Sequence, residues 1–152
     1  MRLSQHSDYA FRLLIYVALR EPAFATVGEI AATFELSLTH LQKVAQTLAA
    51  HGYVDTTRGR SGGVRLARRP HSIRLGDVAA ITEPDFQIAP CMPPGEAECP
   101  IYQPCVLRTA LSRASDAFLA ELNAWTLADL IRERAQLLTA LNVNSRGPRN
   151  PA

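Results

Sequence analysis

The chain has 152 residues, 47% of them hydrophobic and 20% charged, with a formal net charge of +2. That length suits one compact domain, or a small domain with an attached helical segment, and the apolar share supports a real core. No apolar run reaches the roughly 20 residues that a bilayer span requires, and M-R-L-S-Q-H-S-D-Y-A lacks the pattern of a secretion signal, so a cytoplasmic protein is expected.

Charge is unevenly spread. Residues 1–75 carry ten Lys/Arg against five Asp/Glu, whereas residues 76–152 carry six against nine. Six arginines and no acid fall between Arg58 and Arg74. Such polarity points to one half facing a polyanion, although an arginine-rich face can also be merely solvated.

In chain order, residues 7–20 show the apolar periodicity of an amphipathic helix, stopped at Glu21-Pro22. Thr26 and Glu29 form a capping box that opens a short helix from Val27 to about Phe34. Glu35-Leu36-Ser37 is a tight turn, and Ser37 caps a third helix that ends at Gly52. A short helix, a tight turn and a longer helix make a helix-turn-helix pattern. Leu41, Val44, Ala45 and Leu48 are its core side. Ser37, Thr39, His40, Gln42 and Lys43 are polar groups able to bond bases and phosphates in a major groove. An ordinary helical hairpin with a solvated face would show the same pattern.

Tyr53 to Arg58 and Val64 to Arg68 alternate as strands around a glycine-rich tip, giving a hairpin directly after the presumed reading helix. That is a winged-helix arrangement, with Arg58 and Arg60 at the tip and Arg65 on the returning strand as candidate DNA contacts. Residues 75–81 read as a short helix. All three cysteines, Cys91, Cys99 and Cys105, then fall within fifteen residues, in a loop stiffened by Pro90, Pro93, Pro94, Pro100 and Pro104. Three thiols so concentrated suggest a metal or cluster site, because thiolates are soft ligands and an odd number cannot all pair as disulfides. After Pro104, Leu107, Leu111, Ala114, Phe118, Leu122 and Trp125 make the apolar stripe of a long helix, expected to self-associate. Thr126 and Asp129 open a last helix over 128–141.

The expected fold is mainly α with a small β-wing. Residues 1–80 would be a winged helix-turn-helix DNA-binding domain, 81–105 a cysteine-rich loop, 106–142 the dimerisation and C-terminal helices, and 143–152 a disordered tail. Four scattered histidines place no base beside a nucleophile, so catalysis is not expected.

The N-terminal M-R-L-S-x-x-S-D-Y-A, the wing R-G-x-x-G-G-x-R-L, the three-cysteine loop opened by T-E-P-D-F, and W-T-L-A-D-L after the long helix resemble the iron–sulfur-sensing winged-helix regulators of the NsrR/IscR type. The likeness covers about residues 1–140 and leans to the nitric-oxide-sensing branch. The resemblance implies a cytoplasmic homodimer that represses transcription at an operator in double-stranded DNA and releases it when nitric oxide attacks the centre. It implies an iron–sulfur cluster, 4Fe–4S with 2Fe–2S as the alternative, on Cys91, Cys99 and Cys105, with Asp8 from the partner subunit as fourth ligand. The IscR-like branch uses a histidine after the third cysteine, which this chain lacks. One departure is the seven-residue gap between Cys91 and Cys99, where relatives often have about five. Competing readings are an IscR-like sensor of another stimulus, a structural Zn²⁺ on the same thiols, and a thiol redox sensor.

Overall fold

The computed structural model describes residues 2–57, 59, 62–92 and 99–142. Its helices are α1 (Gln5–Arg20), α2 (Val27–Phe34), α3 (Leu38–Ala50), α4 (Leu75–Thr82), α5 (Val106–Ala124), α6 (Leu127–Leu130) and α7 (Arg134–Ala140). The strands are β1 (Val54–Thr57) and β2 (Gly63–Leu66), with a 3-10 turn over Pro70–Ser72. The fold is therefore mainly helical with a two-stranded wing, as the sequence suggests. The tail 143–152, expected to be disordered, lies outside the described residues.

Local chemistry sets the ends of the first three helices. Ser4 caps α1 by accepting from the Ser7 amide at 3.2 Å. The α2 capping box is complete: the Glu29 amide donates to Thr26 Oγ1 at 3.1 Å, and the Thr26 amide donates to Glu29 Oε2 at 2.7 Å. Glu35 ends α2 in the left-handed region at φ 54, which turns the chain sharply into Ser37. Ser37 in turn caps α3 by accepting from the His40 amide at 3.4 Å. Gly52, at φ +69, lets the chain leave α3 for β1.

The core is one cluster built around α1. Leu13, Leu14 and Val17 of α1, Ile30 of α2, and Leu41, Val44 and Leu48 of α3 have no exposed surface. Tyr53, Val54, Val64 and Leu66 bring the wing's inner face into the same cluster. The strands pair antiparallel, Val54 opposite Leu66 and Asp55 opposite Arg65. A further bridge joins Val64 to Ala25, ahead of α2, by mutual amide–carbonyl bonds of 3.0 and 2.7 Å.

α5 behaves differently. Ser115 is its only buried residue, and Val106, Leu107 and the adjoining Trp125 are exposed. It is nevertheless held at its middle and near its C-terminal end. Ser115 Oγ donates to the Phe86 carbonyl at 3.0 Å, and Arg74 Nη1 donates to the Asn123 carbonyl at 2.7 Å. Gly76 lets α4 close on Asn123, since an added Cβ would collide with that side chain. The chain then returns to the core: the Leu127 amide donates to the Ile73 carbonyl at 2.9 Å, and the Leu127 side chain is fully buried. Arg134 closes the structure by donating to the Ala18 and Leu19 carbonyls at the end of α1 (3.0 and 2.6 Å). No described helix is long and apolar enough to cross a membrane.

Candidate nucleic-acid interface

α3 and the wing form one surface. Thr39, Gln42 and Lys43 are exposed on α3, as is Ser37 at its cap. Arg68 ties the wing to this helix: its guanidinium donates to the His51 carbonyl at 2.7 Å and lies over the Tyr53 ring at 4.5 Å. Arg65 is exposed on β2, paired with Asp55 at 3.2 Å and stacked over Phe24 at 5.2 Å. Arg58 and Arg60 lie outside the described residues. On this surface, side chains that suit phosphates and base edges surround a convex helix.

His40 is placed differently from its neighbours. Its ring is half-buried, 4.7 Å from Tyr9 and 5.7 Å from His6, so it faces α1. Periodicity put it among the polar positions, but an imidazole has an apolar body that can stack. His6 also bonds Thr47 of α3 at 3.2 Å. Burial first, and then the neighbouring His40, hold the His6 imidazole below its ordinary pKa of 6.5, with Glu83 opposing them. The fold thus favours neutral His6, and the unfolded chain takes the proton first. This contribution is complete above pH 6.5 and is lost as pH falls below it. In urea titrations between about pH 7.5 and 5.5, the wild-type midpoint should fall more steeply than that of His6→Gln. Parallel curves would show that His6 carries no such linkage.

The cysteine segment begins where α4 ends. Glu83 accepts from the Ser4 amide at 2.8 Å, and beneath it the buried Ser7 and Thr82 hydroxyls bond at 2.7 Å. Gln87 donates to the Met92 carbonyl at 2.9 Å, and Met92 is buried. Cys91 and Cys105 are half-buried and Cys99 is exposed, all three as free thiols. Cys105 stands at the head of α5, and the turn after Cys99 is braced by Arg108 over Tyr102 at 3.9 Å.

This arrangement corrects the cofactor expectation. Among the described residues, no group of three or more His, Cys, Asp or Glu side chains comes together to hold a metal ion. The 4Fe–4S or 2Fe–2S cluster expected on Cys91, Cys99, Cys105 and Asp8 is therefore not supported by the donor set, and Zn²⁺ on the same thiols meets the same objection. Asp8, expected to serve across a dimer, has its carboxylate engaged by Arg12 of its own helix at 3.1 Å. Residues 93–98, between the first two thiols, lie outside the described residues. Closeness in sequence did not bring the three sulfurs together.

Residues 3–133 match the Rrf2 family, described as iron-dependent transcriptional regulators. The chain belongs to that family. Members of the Rrf2 family are DNA-binding transcriptional regulators rather than enzymes, which fits the winged surface above. The chain is 42% identical over 142 residues to the HTH-type transcriptional regulator NsrR of Geobacillus kaustophilus, covering 93% of this chain and 97% of that one. It is 38% identical over 144 residues to the regulator of the same name from Bacillus subtilis, covering 94% and 99%. Among solved structures, T. potens IscR superposes with a TM-score of 0.70 over 97% of this chain and 94% of the other, at 20% identity, a likeness of fold. The long exposed α5 in a family of this architecture suggests dimerisation.

Proposed function

We propose that this Rrf2-family chain is a homodimeric repressor that lays α3 in the major groove of an operator and has nitric oxide as its effector. One observation supports the DNA reading above the others: Thr39, Gln42 and Lys43 stand exposed on α3 beside a wing fixed to that helix through Arg68. Ser37 and Arg65 would add backbone contacts, and Arg58 and Arg60 would carry the wing tip into the minor groove. Homodimerisation is supported by the uncovered apolar residues of α5. Two reading helices related by a two-fold axis would then address two half-sites.

The effector assignment rests on the likeness of T-E-P-D-F and T-L-A-D-L to the nitric-oxide-sensing branch and on the kinship with sequences named NsrR. The segment carrying the cysteines is anchored to α4 at one end and runs into α5 at the other, so it touches both the reading unit and the dimerisation helix. No metal-centred step is assigned to it. A second reading, oxidation of the thiols themselves, is favoured by the exposure of Cys99 and by all three thiols being free.

The test is fluorescence anisotropy on a duplex selected by the full-length protein from a randomised pool. Lys43→Ala should weaken binding uniformly and lower the slope of log K against log salt by about 1. An unchanged slope removes Lys43 from the phosphate contacts, and failure to enrich any duplex removes the operator reading. Without oxygen, a nitric oxide donor should release the duplex; indifference to the donor, with release by a thiol oxidant that Cys99→Ser abolishes, would favour the second reading.

A further inference from the structure

Six large hydrophobic side chains are exposed among the described residues, and five of them, Ile88, Ile101, Val106, Leu107 and Trp125, lie on the segment and helix that dimerisation would cover. The sixth is Leu38, 46% exposed, the first residue of α3. The other large aliphatic residues of that helix, Leu41, Val44 and Leu48, are completely buried. Leu36, two residues earlier, packs against the core cluster, and Leu38 is not part of it. Its surroundings are polar: Ser37, Thr39 and Gln42 are exposed around it. The hydroxyl of Ser37 is occupied in capping α3, and His40 is turned onto Tyr9. An isobutyl group thus stands on the first turn of the reading helix, where base edges are met, with little competition from its neighbours.

We propose that Leu38 is a specificity-determining residue that recognises thymine by apolar contact with its 5-methyl group. In the major groove, every other distinguishing feature of a base edge is a hydrogen-bond donor or acceptor, which leucine cannot satisfy. Leucine opposite a guanine or cytosine edge would strip water from polar atoms and give nothing back. Opposite thymine it buries a methyl group, worth about fourfold in affinity per half-site. Gln42 and Lys43 would supply polar contacts that do not distinguish thymine from its demethylated counterpart, whereas a thymine met by the Thr39 methyl would keep its response in Leu38→Ala.

The inference rests on the operator reading, and the experiment separates the two. In the selected duplex each thymine is replaced singly by deoxyuridine, which removes the methyl group and leaves the hydrogen-bonding edge intact. Wild-type protein should lose about fourfold in affinity at one thymine per half-site. Leu38→Ala should bind the unmodified duplex with that loss already present and show no response at that position. Its urea midpoint should stay close to wild type, because Leu38 is 46% exposed and not part of the core cluster. If no thymine responds in wild type, or if the response persists in Leu38→Ala, the assignment is overturned. Should duplexes be enriched and Lys43→Ala shift the salt slope while thymine and deoxyuridine stay equivalent, this inference alone fails. If the pool yields no duplex at all, the operator reading fails with it.

Discussion

Leu127→Ala should destabilise the protein by about 2–5 kcal/mol, with one cooperative transition in urea for both the reading unit and the residues after α5. Leu127 has no exposed surface and belongs to the cluster that contains Leu13, Ile30 and Leu41. Truncating it removes its transfer energy and leaves a cavity between α1 and the 3-10 turn, where the Leu127 and Ile73 backbones are already bonded. Comparison with Leu107→Ala makes the point clear. Leu107 is also a leucine, but it is 65% exposed on α5, and its removal should change the stability of the monomer by less than about 0.5 kcal/mol. Its loss should appear in the dissociation constant of the proposed dimer. Two separate transitions in Leu127→Ala, or equal losses in the two variants, would contradict the single-core description.

Gly63→Ala is expected to cost about 2–3 kcal/mol and to abolish operator binding at moderate salt. A Cβ at Gly63 would stand 2.7 Å from the Ala25 carbonyl oxygen and 3.1 Å from its carbon. Those are backbone atoms held by two hydrogen bonds to Val64, so they cannot swing aside like the end of a side chain. Either the Ala25–Val64 bridge opens or β2 shifts, and in both cases the wing no longer holds its position beside α3. Gly28→Ala is the control: its nearest neighbour would be Thr26 Oγ1 at 3.9 Å, and α2 should tolerate or welcome the extra methyl. Thermal unfolding and anisotropy on the selected duplex measure both effects. Full stability and affinity in Gly63→Ala would mean that the bridge has no part in holding the wing.

Much of this architecture was readable from local chemistry. Thr26 with Glu29, Ser37 before α3 and Gly52 after it are signals carried within four residues, and each end forms where those residues place it. The last helix shows the limit. Residues 128–141 have continuous helical character, yet the structure breaks them into α6 and α7. The Leu127 amide is bonded to Ile73 and the Arg134 guanidinium to α1, partners more than fifty residues away that no local pattern reveals. The Thr126–Asp129 box still forms, with the Thr126 hydroxyl donating to Asp129 at 2.7 Å and its amide at 2.9 Å. Those two bonds, hydroxyl first, hold the Asp129 carboxyl below its ordinary pKa.

The candidate site divides in the same way. Exposure of Thr39, Gln42 and Lys43 follows from helical periodicity. The inward turn of His40 depends on Tyr9 and His6, which lie thirty residues earlier. The ion pair of Asp8 with Arg12 is a four-residue spacing on one helix, a local pattern that the sequence reading of Asp8 as a ligand did not weigh. Three thiols in fifteen residues express a donor type; whether they converge is settled by chain path, and spacing does not encode it.

The path of the chain around α4 carries a mechanical consequence. The backbone leaves the reading unit at Glu83, pinned to Ser4, and comes back at Trp125, whose carbonyl accepts from the Leu75 amide at 3.0 Å. Those two points sit at opposite ends of α4. The cysteine segment and the long helix therefore form a handle riveted at both feet, not a pennant trailing from a slack string. Torque applied to such a handle reaches the winged unit through both feet, as a couple across the eight residues of α4.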